Sequence, residues 1–340
     1  LAVITALVEV LRYAEVTPWG YWDAWARINL KARFLHAGGP DWTWIFHGDG
    51  MKTPDYPLLL ECSVARLWGW SGGVDPLPAQ TISVLNWAAC LGALVALVGL
   101  LRSSVVAAVA GLAFLCNQAC QAWAAMQYAD LVLATSFTCC AGFLVLAARR
   151  RGRAGAWWPL VGFFAGSAAW CKNEGLGFAA LVVLLAVPMI AAAPAHRLRS
   201  ALALGTGLTL GGAGVLVLKL GFAGKSYLLG PRARPVHEDL IDPARYGTVF
   251  DYLMGSLAYN VAGWTLLVLA LALLVLPRRR DVRRSWLPLV LSAATGTVFV
   301  LVLVATSLDL DWQVSTTIER LTLELWPMAI LGVAAGLRSA

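Results

Sequence analysis

The chain has 340 residues, is 59% hydrophobic and only 13% charged, and carries a formal net charge of +7 with a mean hydropathy of +0.71. Soluble domains carry about 25% charged residues, so this composition excludes an ordinary soluble enzyme and points to a polytopic α-helical membrane protein. The basic pI of about 9.2 does not imply nucleic acid, because the arginines cluster between apolar runs, which is a topology signal.

A bilayer core needs about 20 apolar residues per helix. On that measure the expected spans are 1–12 (the outer part of a truncated first span), 79–101, 104–121, 131–148, 157–171, 176–193, 200–221, 256–276, 286–306 and 319–337. A single helix over 157–193 would bury Lys172, Asn173 and Glu174 in lipid, so a tight hairpin is expected there. The loops at Arg102, Arg149–Arg153, His196–Arg199 and Arg278–Arg284 hold twelve Arg and one acid, Asp281, and fall on one side. By the excess of positive charge that side is cytoplasmic. The other eighteen acids lie in the opposite segments or in span ends beside them, which suggests chemistry at the outer face. The chain therefore reads as one transmembrane domain over 1–340, with a first external loop at 13–78 and a later one at 222–255.

The first external loop opens on Tyr21-Trp22-Asp23. Helical spacing puts Tyr21, Trp25, Ile28, Ala32 and Leu35 on one face and Asp23, Arg27 and Lys31 on another. The expectation is an interfacial helix with its aromatic face down and its basic face toward lipid headgroups. A first-turn carboxylate stays ionised beside the helix dipole and could activate a hydroxyl, or it could simply start the helix and pair with Arg27. Two prolines bracket Asp55-Tyr56 and fix an extended turn that re-enters the membrane or shapes a site, with Lys52 just before it as a point charge for a phosphate.

Asp130 opens a later span, either as a helix cap or as a second carboxylate in the same layer. Lys172, at the hairpin tip before Glu174, either snorkels or binds a phosphate. Arg320, where the last span begins, either clamps a phosphate bidentately or pairs with Glu319 or Glu324. A metal site from His237, Glu238 and Asp242, or from Asp309-Leu310-Asp311, is only weakly suggested. The seven cysteines form no metal-type CxxC set, and Walker, dinucleotide-binding and HExxH motifs are absent.

In their order, WDAWARINLKARFL, TPDYPLLL, YADLVLA, WCKNEGLGF and IERLTLELWP give a sequence that resembles the GT-C class of membrane glycosyltransferases. More narrowly it is similar to the bacterial family 39 relatives of protein O-mannosyltransferases and of aminoarabinose transferase. The resemblance spans nearly the whole chain. It implies an all-α GT-C-like fold of about ten spans with amphipathic helices in the first external loop. It also implies inverting transfer of a sugar from a polyprenyl-phosphate donor to a lipid, glycan or protein acceptor, on the extracytoplasmic side of a bacterial inner membrane. Carried over residue by residue, it makes Asp23 and Asp130 catalytic, gives Lys52, Lys172 and Arg320 to the donor phosphate, and leaves Asp55, Tyr56 and Glu174 to shape the site. Many relatives have Asp-Glu where this chain has Asp23-Ala24, so the second acid of that pair is not present here. No cofactor is specified, with a divalent cation (Mg or Mn) left open. The partners implied are the lipid-linked donor, the acceptor and membrane lipids, with no nucleic acid. A flippase for lipid-linked sugars and a catalytically degenerate homologue are the rival readings.

Overall fold

The structure is a computed structural model that describes residues 1–47, 53–149, 156–222, 235–259 and 286–336. Among these residues every regular element is helical. The helices are α1 (Ala2–Val16), α2 (Asn29–Ala37), α3 (Leu59–Ser71), α4 (Pro76–Leu101), α5 (Ser104–Leu115), α6 (Gln118–Ala125), α7 (Asp130–Arg149), α8 (Trp158–Cys171), α9 (Asn173–Ala191), α10 (Arg197–Gly221), α11 (Val236–Leu240), α12 (Pro243–Tyr259), α13 (Leu287–Val304) and α14 (Leu310–Gly336). Among the described residues five helices are long and apolar enough to cross a membrane, or six if the bent α5–α6 pair is one span. The protein is an integral membrane protein built on this helical frame.

The core runs along α7, whose side chains are mostly buried against α4, α8 and α14. At 20 residues this helix is about 30 Å long, with Asp130 at one end and Arg149 at the other. Acid and arginine thus sit on opposite ends of the same central element.

Four boundaries differ from the sequence reading. The span expected over 104–121 breaks between α5 and α6, which bend by 64°. Asn117 makes the break: its Oδ1 accepts from Ala119 N at 3.1 Å and caps α6, while Gln121 Nε2 donates to Leu115 O at 2.6 Å. α12 begins at Pro243, inside what reads as the later external loop, and most of the 256–276 span lies outside the described residues. α14 begins at Leu310, nine residues before the expected start. Finally, α1 runs on to Val16.

The expected hairpin is present. α8 ends at Cys171, Lys172 is extended (φ −152°, ψ 160°), and α9 starts at once. Only glycine fits at 175, because a Cβ there would lie 1.8 Å from Ala168 O. α8 also packs closely on α10 through small residues four apart. A Cβ on Gly207 would lie 2.0 Å from Pro159 O, and one on Gly211 would lie 2.1 Å from Phe163 O. This close crossing carries the end of α10, with Lys219, toward the hairpin tip.

Candidate active site

The turn before α2 supplies the first carboxylate. The chain leaves α1 through Gly20 (φ 74°), where a Cβ would lie 2.5 Å from Met126 O. Asn29 Nδ2 donates to Trp19 O (3.1 Å) and Gln127 Oε1 (3.0 Å), and Gln127 Nε2 donates to Pro18 O (2.8 Å). Asp23 N donates to the Tyr128 hydroxyl at 3.3 Å. These contacts fasten the start of the first loop to the corner before α7, so that Asp23 and Asp130 share one layer.

Residues Ala24–Ile28 form a single π-helical turn that runs into α2. π turns insert one residue and are frequent at functional sites. The buried face is Ala24, Arg27, Ile28, Lys31 and Ala32, while Tyr21, Trp22 and Trp25 are exposed. This overturns the expected placement of the basic face: both cations are buried in the protein instead of facing lipid headgroups, while Tyr21, Trp22 and Trp25 stay exposed. The reason is that carboxylates on neighbouring elements need buried cations more than lipid headgroups do.

Arg320 of α14 joins the two acids. Its Nε and Nη2 donate to Asp130 Oδ1 (3.1 Å) and Oδ2 (3.0 Å), a bidentate pair, and its Nη1 donates to Asp23 Oδ2 at 2.5 Å. The guanidinium also lies 4.7 Å from the Tyr128 ring centroid. Lys172 sits deeper. Its Nζ contacts Glu324 Oε1 (2.5 Å), Asp130 Oδ1 (3.3 Å) and Glu174 Oε1 (3.5 Å). Neither Glu319 nor Glu324 pairs with Arg320, as one sequence reading had it. Glu324 pairs with Lys172 instead.

The turn at 53–58 closes the layer. Tyr56 OH donates to Glu174 Oε1 at 3.4 Å, and Asn173 Nδ2 donates to Asp55 Oδ2 at 2.9 Å. Lys219 Nζ donates to Asp55 O (2.5 Å) and Asn173 Oδ1 (2.8 Å). Lys31, fully buried, donates to Thr53 O at 2.6 Å. Thr53 (φ 48°) and Gln127 (φ 60°) are the two non-glycine residues with positive φ among the described residues, and both flank this layer.

Electrostatics separate the groups. Burial alone would raise the Asp23 carboxyl, but Arg27 and Arg320 outweigh it and hold it below its ordinary value of 3.8. Burial pushes Lys31 down to about 8, against the opposing pull of Glu61, and burial raises Glu61, which is itself buried. Burial also raises the Tyr56 hydroxyl, so it stays a neutral donor.

Of the residues singled out from the sequence, Asp23, Asp55, Tyr56, Asp130, Lys172, Glu174 and Arg320 converge here, while Lys52 lies outside the described residues. Lys172 and Arg320, expected at a donor phosphate, are engaged here by carboxylates of the protein, opposite charges that neutralise one another in the interior. Asp130 has no exposed side-chain surface and both its oxygens are held, whereas the Asp23 side chain keeps 23% exposure. Sequence reasoning offered Arg27 as the partner of Asp23, and the pair is present at 3.8 Å; it gave Glu324 to Arg320 instead of Lys172, and it missed Lys31 and Lys219 as members. Glu324 had one usable signal, an acid isolated in the run LTLELWP.

Among the described residues no three His, Cys, Asp or Glu side chains gather as a metal site. Asp242 caps α12 through Ala244 N (3.1 Å), and Asp309 accepts from Trp312 N (2.8 Å).

No protein-family model and no curated protein matches the chain. Solved structures do. ArnT from Cupriavidus metallidurans bound to undecaprenyl phosphate matches 98% of this chain with a TM-score of 0.62 at 17% identity. The same protein in the apo state matches 98% with a TM-score of 0.53 at 13% identity. This chain covers 59% and 60% of those chains. At that identity the likeness is one of fold, and the GT-C-like fold implied by the motif order stands.

Proposed function

We propose that this chain is an inverting glycosyltransferase that moves a sugar from a polyprenyl-phosphate donor to an acceptor hydroxyl or amine at the extracytoplasmic face of a bacterial inner membrane. The observation that carries this reading is the meeting of Asp23, Asp130 and Arg320 through hydrogen bonds of 2.5–3.1 Å, from stretches about 100 and 190 residues apart. The fold shared with a protein solved bound to undecaprenyl phosphate supports the donor class.

In this reading Asp23 is the group that meets the acceptor. Its carboxylate stays ionised, keeps an exposed edge, accepts the acceptor's hydrogen bond, and takes the proton as the new glycosidic bond forms. Asp130 holds Arg320, and Arg320 fixes Asp23, so these two position the base rather than touch substrate. Lys172 and Glu324 brace Asp130 from below. Asp55, Tyr56 and Glu174 set the floor between the first loop and the hairpin. A phosphate is a good leaving group, so inversion needs no separate general acid. Divalent-cation dependence is a separate proposal, read from chelator sensitivity of the same assay.

The test is transfer of radiolabelled sugar from polyprenyl-phosphate donors by membranes that contain the wild type or Asp23→Asn. The expected loss is about 10²- to 10⁴-fold. Equal turnover would remove Asp23 from the chemistry.

A further inference from the structure

The donor's phosphate needs a cation, and the two described candidates, Lys172 and Arg320, already have carboxylate partners. Arg27 differs. It is 7% exposed, and its Nε is buried with no hydrogen-bond partner. Its ion pair with Asp23 Oδ2 is long, at 3.8 Å, and that oxygen is held more closely by Arg320 at 2.5 Å. The guanidinium lies over the Tyr56 ring, 4.8 Å from the centroid, which fixes its plane. A guanidinium has five N–H donors in a rigid fork matched to oxyanions, and a buried donor left without a hydrogen bond is costly. Buried polar groups without partners call for a ligand or an ordered water.

The geometry points to Arg27 as a residue that binds the anionic oxygens of a polyprenyl phosphate, through guanidinium N–H groups that the long ion pair with Asp23 leaves without a hydrogen bond. This assignment rests on the proposed function and deepens it. One turn of helix then presents both halves of the reaction, with the carboxylate of Asp23 for the acceptor and the fork of Arg27 for the leaving group. The π turn changes the company of Arg27: ordinary helical spacing would set Ile28 on the face of Trp25, whereas here Ile28 is buried with Ala24 and Arg27 while Trp25 is exposed.

Binding measured on purified protein in nanodiscs tests this without any transfer reaction. The probes are undecaprenyl phosphate, undecaprenol without the phosphate, and inorganic phosphate as competitor. Arg27→Gln should weaken undecaprenyl phosphate by tenfold or more and leave undecaprenol unchanged. Arg27→Lys, which keeps the charge and guards against misfolding, should lose part of the affinity because the fork is gone. Asp23→Asn, which removes the competing carboxylate, should bind as tightly as the wild type or more tightly. Wild-type affinity in both Arg27 variants would overturn the assignment, leave Nε to an ordered water, and spare the proposed function. Displacement by inorganic phosphate at equal concentration would overturn the lipid-borne source of the ligand. A wild type that ignores undecaprenyl phosphate altogether would overturn the donor class itself.

Discussion

Arg320 and Arg27 approach the same oxygen of Asp23, at 2.5 and 3.8 Å, and the protein uses them differently. Arg320 makes three hydrogen bonds to two carboxylates and stacks on an aromatic ring. Arg27 stacks on a ring as well, but makes only one long ion pair and keeps a buried N–H without a partner. The half around Arg320, Lys172, Asp130 and Glu324 is nearly shut off from solvent and its charges meet opposite charges inside the protein, although Glu324 Oε2 is itself buried without a hydrogen-bond partner. The half around Arg27 and Asp23 is open at Asp23, whose side chain is 23% exposed, while Arg27 is buried with a donor that makes no hydrogen bond. A buried charge engaged by short contacts to opposite charges belongs to the frame, and a guanidinium held only by a long ion pair keeps donors for another partner.

The comparison breaks most readily at Lys172. Lys172→Met leaves Asp130, Glu174 and Glu324 without their shared ammonium. Breaking a buried pair from one side costs about 3–5 kcal/mol, so the folded fraction in detergent should fall sharply, as read by thermal unfolding. A melting temperature equal to the wild type's would show that the closed half does not hold the frame.

A smaller effect sharpens the boundary between the halves at Lys31, which holds the strained Thr53 turn. Its folded value of about 8 lies below the ordinary 10.5. Between those values the unfolded chain binds more protons than the folded one, so stability should rise with pH across 8–10.5, by no more than about 3 kcal/mol. Lys31→Met should lack that rise. Parallel pH curves for the two proteins would remove Lys31 as its source.

The smallest effect on stability belongs to the open half. Asp23 has its carboxyl lowered, so it contributes stability above the ordinary 3.8 that is lost as pH falls through its folded value. With part of its side chain in solvent, Asp23→Asn should cost about 1 kcal/mol or less at neutral pH, even though transfer collapses. A loss as large as that of Lys172→Met would place Asp23 in the frame instead of the open half.

How much of this was legible beforehand varies by residue. The hairpin at Lys172–Glu174 was fixed by arithmetic, since 37 consecutive helical residues would overrun a bilayer and leave charges in lipid. Asp23 and Asp130 were legible as acids at helix starts, and Asp55-Tyr56 as a proline-bracketed turn. The direction of the helix after Asp23 was not. Its spacing defines two faces but does not say which one meets protein, and the π turn shifts the register that the spacing assumes.

The sequence alone determined the membrane class, the segregation of acids from arginines along the spans, and the order of the five motifs, because composition and spacing are properties of one chain segment at a time. Only the tertiary structure decided which charge meets which: that Glu324 takes Lys172, that Arg320 takes Asp23 and Asp130, and that Arg27 is left with a buried donor without a partner. In a water-poor interior a buried charge is governed by whichever opposite charge lies within a few ångströms, and here those partners come from helices up to about 300 residues apart.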